Sequence, residues 1–273
     1  MNVNVTEQPS PYRNLEMMTV QELTASINHE DKVIASAVEK VLPEINVLID
    51  IIVEKLKKKG RLFYVGAGSS GRLSVLDVIE LPTTYGVSPE LFQVILAGGA
   101  DKLIEALEQK EDDTEEAWEK LEEKEISSGD IVVGISASGT TPFVLAALTK
   151  CKEQGITTGC LVSNPGTPIA AQADYPVEVI TGPEFITGST RMKCGTAHKM
   201  IFDIISTTTM VRLGRVRDNE MVNVKLINKK ITNRAVQMFI KISGISNYEQ
   251  AKTMLLHHGS VQKALDELNR QKV

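Results

Sequence analysis

Apolar positions change their period twice along the chain. Between Leu15 and Gly60 they recur at roughly helical spacing, beginning with Leu15, Met18, Leu23 and Ile27. Asn28 is placed to cap a second helix before "HEDKVIASAVEKVL", and Gly60 closes this section. From residue 61 the pattern shortens into apolar runs that end in Gly, Ser or Pro: "RLFYVGAG", "LFQVILAGG", "DIVVGISASG", "TTGCLVSNPG" and "YPVEVITGP". Helix-like segments separate most of them. This alternation predicts five buried strands in a parallel sheet with helices on both faces, an α/β fold. The helical period returns over 199–213 and again over 224–270, with breaks near Gly244 and Gly259.

Two segments stand outside this scheme. Residues 1–14, with Pro9 and Pro11, read as an irregular arm able to reach a partner subunit. The acidic run "EQKEDDTEEAWEKLEEKE", between the second and third strand candidates, has helical spacing around Ala106, Leu107, Ala117, Trp118 and Leu121 and predicts a solvated helical hairpin.

Composition narrows the partners. With 273 residues, 42% of them apolar, and a formal net charge of −5, the chain has an ordinary globular balance and no basic excess for nucleic acid or an anionic membrane. Neither partner is expected. The early apolar stretch "VLPEINVLIDIIVEKL" is interrupted by Pro43, Glu44, Asp50 and Glu54, which makes it an amphipathic helix rather than a membrane span. Three cysteines, Cys151, Cys160 and Cys194, are an odd number with no signal-like N-terminus, which fits a reducing cytoplasm better than a disulfide framework.

An acidic chain must hold an anionic ligand by local features, and two strand ends supply them. "GAGSSG" places Gly66 and Gly68 where the backbone needs freedom and adds the hydroxyls of Ser69 and Ser70 at a helix start. It is no Walker loop, since no Gly-Lys-Ser/Thr follows. It is also a weak dinucleotide fingerprint, since the next strand ends in "VILAGG" with no ribose-binding acid. "GISASGTTP" repeats the device with Ser136, Ser138, Thr140 and Thr141. Either loop alone reads as a polar helix cap. Together they point to a phosphate held by amides and hydroxyls.

These paired loops resemble those of sugar isomerase (SIS) domains, a five-stranded parallel α/β sandwich that binds phosphosugars. The resemblance narrows further. "TEQPS", "GAGSSGRLSVLDVIELPTTYG", "ILAGG" with "ALEQKEDD", "VSNPGTPIA", "GPEFITGSTRMKCGTAHKM" and "STTTMVRLGRV" run in the order found in N-acetylmuramic acid 6-phosphate etherases, over almost the whole chain. That family is related to the glucokinase regulatory protein. The resemblance implies an N-terminal arm and helices over 1–59, a phosphosugar-binding SIS domain over 60–215 and a small C-terminal helical region over 216–273.

It also implies cleavage of the lactyl ether of a phosphorylated amino sugar by a cytoplasmic homodimer, without metal or organic cofactor. An ether beside a latent aldehyde is most readily broken by elimination, which needs a base at C2 and an acid at the departing oxygen. By resemblance, Glu80 in "DVIELPTTYG" is the acid and Glu111 in "ALEQKEDD" the base. Ser189 and Thr190 complete the phosphosugar pocket. Glu80 lies between Ile79 and Leu81, an apolar setting that would raise its pKa, where the family more often has small and thiol-bearing neighbours; the plain alternative is a helix-end acid in solvent. Glu111 sits among Glu108, Asp112 and Asp113, where a solvated charge run is the default, and Glu108 is a further candidate for sugar ligand or base. Arg191 and Lys193 read as cations that pair with acids. His198 reads first as structural, with approach from a neighbouring subunit as the functional alternative, and Cys194 as a packing residue. A sugar-phosphate sensor and an aldose–ketose isomerase are the competing activities.

Overall fold

The computed structural model describes residues 4–103, 105 and 108–270. All five expected strands are present: β1 (Leu62–Gly66), β2 (Phe92–Leu96), β3 (Ile131–Ser136), β4 (Thr157–Val162) and β5 (Tyr175–Glu178). They form one parallel sheet in the order β2-β1-β3-β4-β5. The order reverses between β1 and β3, because β2 lies on one side of β1 and β3 on the other. In open parallel sheets such a reversal leaves a crevice beyond the strand C-termini where ligands bind.

Before the sheet, α1 (Val20–Lys40) and α2 (Leu42–Lys57) form the N-terminal helices. Contrary to the sequence expectation, α1 runs straight through Asn28. Its N-terminus is set by Thr19, whose hydroxyl accepts from Glu22 N–H while the Glu22 carboxylate accepts from Thr19 N–H. This reciprocal capping box satisfies two otherwise free amides, and nothing at Asn28 competes with it. α2 buries Ile45, Leu48, Ile49, Ile52, Val53 and Leu56 on one stripe, as the interrupted apolar pattern requires.

Alternate residues of β1 serve opposite faces of the sheet. Phe63 and Val65 join Val132, Cys160 and Val162 in a core shared with α4 (Glu116–Glu123), α5 (Pro142–Glu153) and α6 (Pro168–Gln172). On the other face Tyr64 meets Phe202 of α7 (Lys193–Arg212) edge-on, with ring centroids 5.3 Å apart. Between β1 and β2 runs α3 (Gly68–Tyr85). Gly66 and Gly71 let strand and helix touch, since a Cβ on Gly66 would lie 2.9 Å from Gly71 Cα.

In the acidic run the hairpin expectation gives way to a 3-10 turn at Glu108–Asp112 followed by the single short α4. Ala117 and Leu121 are buried as expected; Ala106 and Leu107 lie outside the described residues. The chain divides into two compact units, Met1–Val78 with Glu90–Ile205, and Ile79–Pro89 with Ser206–Val273. The second contains α8 (Lys229–Ser243), α9 (Tyr248–His258) and α10 (Val261–Arg270) around Phe239, Leu255 and Leu265. Asn228 and Asn247 cap α8 and α9, and Gly244 and Gly259 end them in the left-handed region. Among the described residues no helix is long and apolar enough to cross a membrane.

One buried ion pair pins the sheet's opposite edge. Asp130, almost wholly buried, accepts from Arg61 backbone N–H at 2.8 Å, from Arg61 Nη2 at 2.9 Å and from Ser127 N–H at 2.9 Å. Burial acts to raise the Asp130 pKa, but these hydrogen bonds and the guanidinium charge outweigh it and hold the carboxyl below its ordinary value. The stability it contributes is therefore present above its unfolded pKa of about 3.9 and is lost as the pH falls through the lower folded value. Asp130→Ala leaves Arg61 without its partner and is expected to cost about 3 kcal/mol in urea unfolding at neutral pH, with a smaller difference from wild type in acid.

Candidate active site

The β1–β3 reversal brings the two serine loops together. A cleft of about 300 Å³ is lined by Gly68, Ser69 and Ser70 from the first turn of α3 and by Ser136 at the end of β3 with Ser138 and Thr141 just after it. Glu111 and Thr190 also line it. Eight of the residues singled out from the sequence thus face one space, and Thr140 of the second loop is not among its lining residues. Ser189, next to Thr190, does not line the cleft; its amide donates to Ile186 O at 2.9 Å. Glu80 is not among the lining residues either. It lies exposed near the end of α3, between the 57%-exposed Ile79 and the buried Leu81. The Glu108 side chain lies outside the described residues.

Glu111 is fitted against the first loop. Gly68 has φ +54°, a conformation that disfavours side chains, and a Cβ there would sit 2.7 Å from Glu111 Oε1. The missing side chain is the space the carboxylate occupies. This is why a residue from an acidic run, where solvation is the default, comes to face the cleft.

The second loop is organised around hydroxyls. Ser136 Oγ accepts from Gly139 N–H at 3.0 Å and lies 2.8 Å from Thr141 Oγ1 and 3.2 Å from Ser138 Oγ. Thr141 precedes Pro142 at the start of α5, yet its hydroxyl makes no capping bond to the helix. The positive end of α5 and the hydroxyl cluster therefore share one edge of the cleft.

The sequence reading did not single out Glu7 or Gly188, which also line the cleft. Asn164 explains the first. Fully buried, it accepts from Thr6 N–H at 3.1 Å and donates to Thr6 Oγ1, to Ala137 O and to Ser138 O. One carboxamide thus ties the N-terminal arm to the second serine loop and sets Glu7 at the rim. Only the "TEQPS" motif carried a signal of this, and its reach across more than 150 residues has no local pattern.

The "GPE…GSTR" block has a physical role as well. Buried Glu184 accepts from the first amides of α7, Lys193 N–H at 2.8 Å and Cys194 N–H at 3.0 Å, in place of a capping serine. Lys193 pairs with Glu30 of α1 at 2.5 Å in a largely buried contact and takes no part in the cleft. Cys194 is fully buried, with its thiol pushed up to about 12 by burial, as a packing residue should be.

His198 of α7 is also fully buried. Its Nδ1 lies 2.9 Å from Ser70 Oγ and its Nε2 3.2 Å from Ser163 Oγ. Burial lowers its pKa to about 4, so the imidazole is neutral at physiological pH. Below about pH 6.5 an unfolded chain takes up a proton that the folded His198 refuses, so this residue makes stability fall as the pH drops toward 4.

Comparisons with known proteins agree with this geometry. The family model described as "Glucokinase regulatory protein N-terminal SIS domain" matches residues 44–152, and the SIS domain model matches 112–205. An N-acetylmuramic acid 6-phosphate etherase of Bacteroides fragilis is 49% identical over 264 residues, 97% of this chain and 94% of that protein. One of Porphyromonas gingivalis is 49% identical over 267 residues, 98% and 97% of the two chains. The chain belongs to the N-acetylmuramic acid 6-phosphate etherase family. Among solved structures, phosphoheptose isomerase GmhA from Neisseria gonorrhoeae superposes with a TM-score of 0.55 at 20% identity, covering 70% of this chain and 98% of that one. That likeness carries the SIS-type fold, while the near full-length identity carries the etherase family.

Gly68→Ala tests the fit of Glu111 to the first loop. It combines a left-handed φ with a contact on the carboxylate. The variant is expected to lose about 1 kcal/mol or more in urea unfolding, and its crystal structure to show the Glu111 carboxylate displaced from the cleft.

Proposed function

We propose that this chain cleaves the D-lactyl ether of N-acetylmuramic acid 6-phosphate, giving N-acetylglucosamine 6-phosphate and D-lactate. The observation that carries this reading is the joining of near full-length etherase relatives to a cleft in which both serine loops and Glu111 converge. The phosphate is held at the starts of α3 and α5 by amides and by Ser69, Ser70, Ser138 and Thr190. In the open-chain sugar the C1 aldehyde makes the C2 proton removable. Glu111 takes that proton, the electron pair moves to form the C2–C3 double bond, and the C3–O bond breaks. Glu80 gives its proton to the departing lactate oxygen. Water then adds its oxygen at C3 and a proton returns to C2, completing the product.

Glu80 needs a drier setting than a single chain gives it. Leu76 and Ile79, one turn apart on α3, are 46% and 57% exposed. We infer a homodimer with its sites near the subunit interface, in which a second copy covers this apolar face and removes water from around Glu80. The three buried free thiols support a cytoplasmic setting.

Glu111→Gln is expected to abolish both lactate release and deuterium exchange at C2. Glu80→Gln is expected to slow lactate release at least roughly a hundredfold while C2 exchange persists. Lactate release by Glu80→Gln at the wild-type rate would contradict its role as the acid. Ser138→Ala is expected to weaken N-acetylglucosamine 6-phosphate binding by about 1.5–3 kcal/mol, roughly ten- to a hundredfold, as measured by calorimetry. The match to the glucokinase regulatory protein domain favours one second reading, a sugar-phosphate sensor. It predicts tight phosphosugar binding by the wild-type chain with no lactate released.

A further inference from the structure

Among the described residues lining the cleft none is a lysine, arginine or histidine, and two, Glu7 and Glu111, are carboxylates. A phosphate dianion there depends on which way each hydroxyl points. A serine that turns its proton toward the anion attracts it, and one that turns a lone pair repels it. Ser70 is 5% exposed, lines the cleft, and has its Oγ 2.9 Å from His198 Nδ1.

A neutral imidazole has one N–H and one acceptor nitrogen, so its two serine partners must play opposite parts. Ser163 decides which. It is 1% exposed, and its Oγ lies 3.2 Å from His198 Nε2. The Cys194 sulfur, which Ser163 also reaches, is a weak acceptor. If Nε2 carried the proton, the Ser163 hydroxyl would have to turn its proton from the imidazole to that weak acceptor, which costs more than an unused lone pair. Ser163 is better satisfied by donating to Nε2.

From this polarity we propose that His198 is a positioning residue that sets Ser70 as a hydrogen-bond donor to the ligand's phosphate. Ser163 donates to Nε2, the proton on Nδ1 is donated to Ser70 Oγ, and the proton of Ser70 is left to point into the cleft. In the opposite tautomer Nδ1 would draw the Ser70 proton inward and aim a lone pair at the anion. Burial keeps the imidazole neutral, so the relay holds one direction rather than switching with pH. The inference rests on the reading of the cleft as a phosphosugar site.

Histidine-selective nitrogen-15 labelling tests it directly, since the chain has four histidines. The expected spectrum shows His198 with Nδ1 protonated and Nε2 unprotonated, both in the free protein and with N-acetylglucosamine 6-phosphate bound. A proton on Nε2 in either state, or on both nitrogens, would overturn the proposal. The tautomer in the free protein needs neither turnover nor ligand, so its failure is distinct from failure of the etherase reading. Ser163→Ala, outside the cleft, removes the group that selects the tautomer. It is expected to raise the dissociation constant for N-acetylglucosamine 6-phosphate roughly tenfold and to populate both tautomers, and unchanged affinity with an unchanged tautomer would count against the relay.

Discussion

Everything at the site depends on the reversal of strand order between β1 and β3. Because β2 and β3 lie on opposite sides of β1, the connections after β1 and β3 diverge and leave a space above the sheet. Two helices start at its rim, and their unpaired amides and dipoles favour negative charge there. The close approach of Gly66 and Gly71 brings the start of α3 down onto the strand that feeds it. Without that topology the serine loops would be two unrelated helix starts.

The electrostatics of the cleft explain its choice of residues. In a protein with net charge −5, the described residues lining the cleft offer hydroxyls and backbone amides, the donors the proposed phosphate would use, and two of the chain's cations pair with acids outside that lining. Lys193 is engaged with Glu30, and Arg61 with Asp130. Glu111 stands in that lining beside the first serine loop, where the proposed role as base would place it. Buried polar side chains then do the orienting: Asn164 ties the arm to the second loop, Glu184 starts α7, and His198 on that helix reaches Ser70.

The strands were legible because buried parallel strands are short apolar runs closed by small or turn-forming residues, and all five such runs form strands. The final helices were legible from their glycine stops at Gly244 and Gly259. Asn28 misled because a good capping residue also fits within a helix when Thr19 and Glu22 already satisfy the N-terminus. Local pattern could bring Gly68, Ser70, Ser136 and Ser138 to one edge, since each ends or follows a strand. It could not place Glu111, whose position depends on the missing Cβ of Gly68, or Glu7, held by Asn164 across the sequence. The motif order of the family supplied what local pattern could not for Glu111, and it marked "TEQPS" without saying which residue mattered. Glu80 shows the converse: its apolar neighbours in sequence are split by the helix, Leu81 inward and Ile79 outward, so adjacency did not translate into burial.

The central claim is that the ether is broken by elimination and the product completed by hydration. The most direct measurement is turnover of N-acetylmuramic acid 6-phosphate in water enriched in oxygen-18, with mass analysis of both products. The account predicts the label at C3 of N-acetylglucosamine 6-phosphate and unlabelled D-lactate. Label in the lactate hydroxyl, with none at C3, would show attack on the lactyl carbon and contradict it.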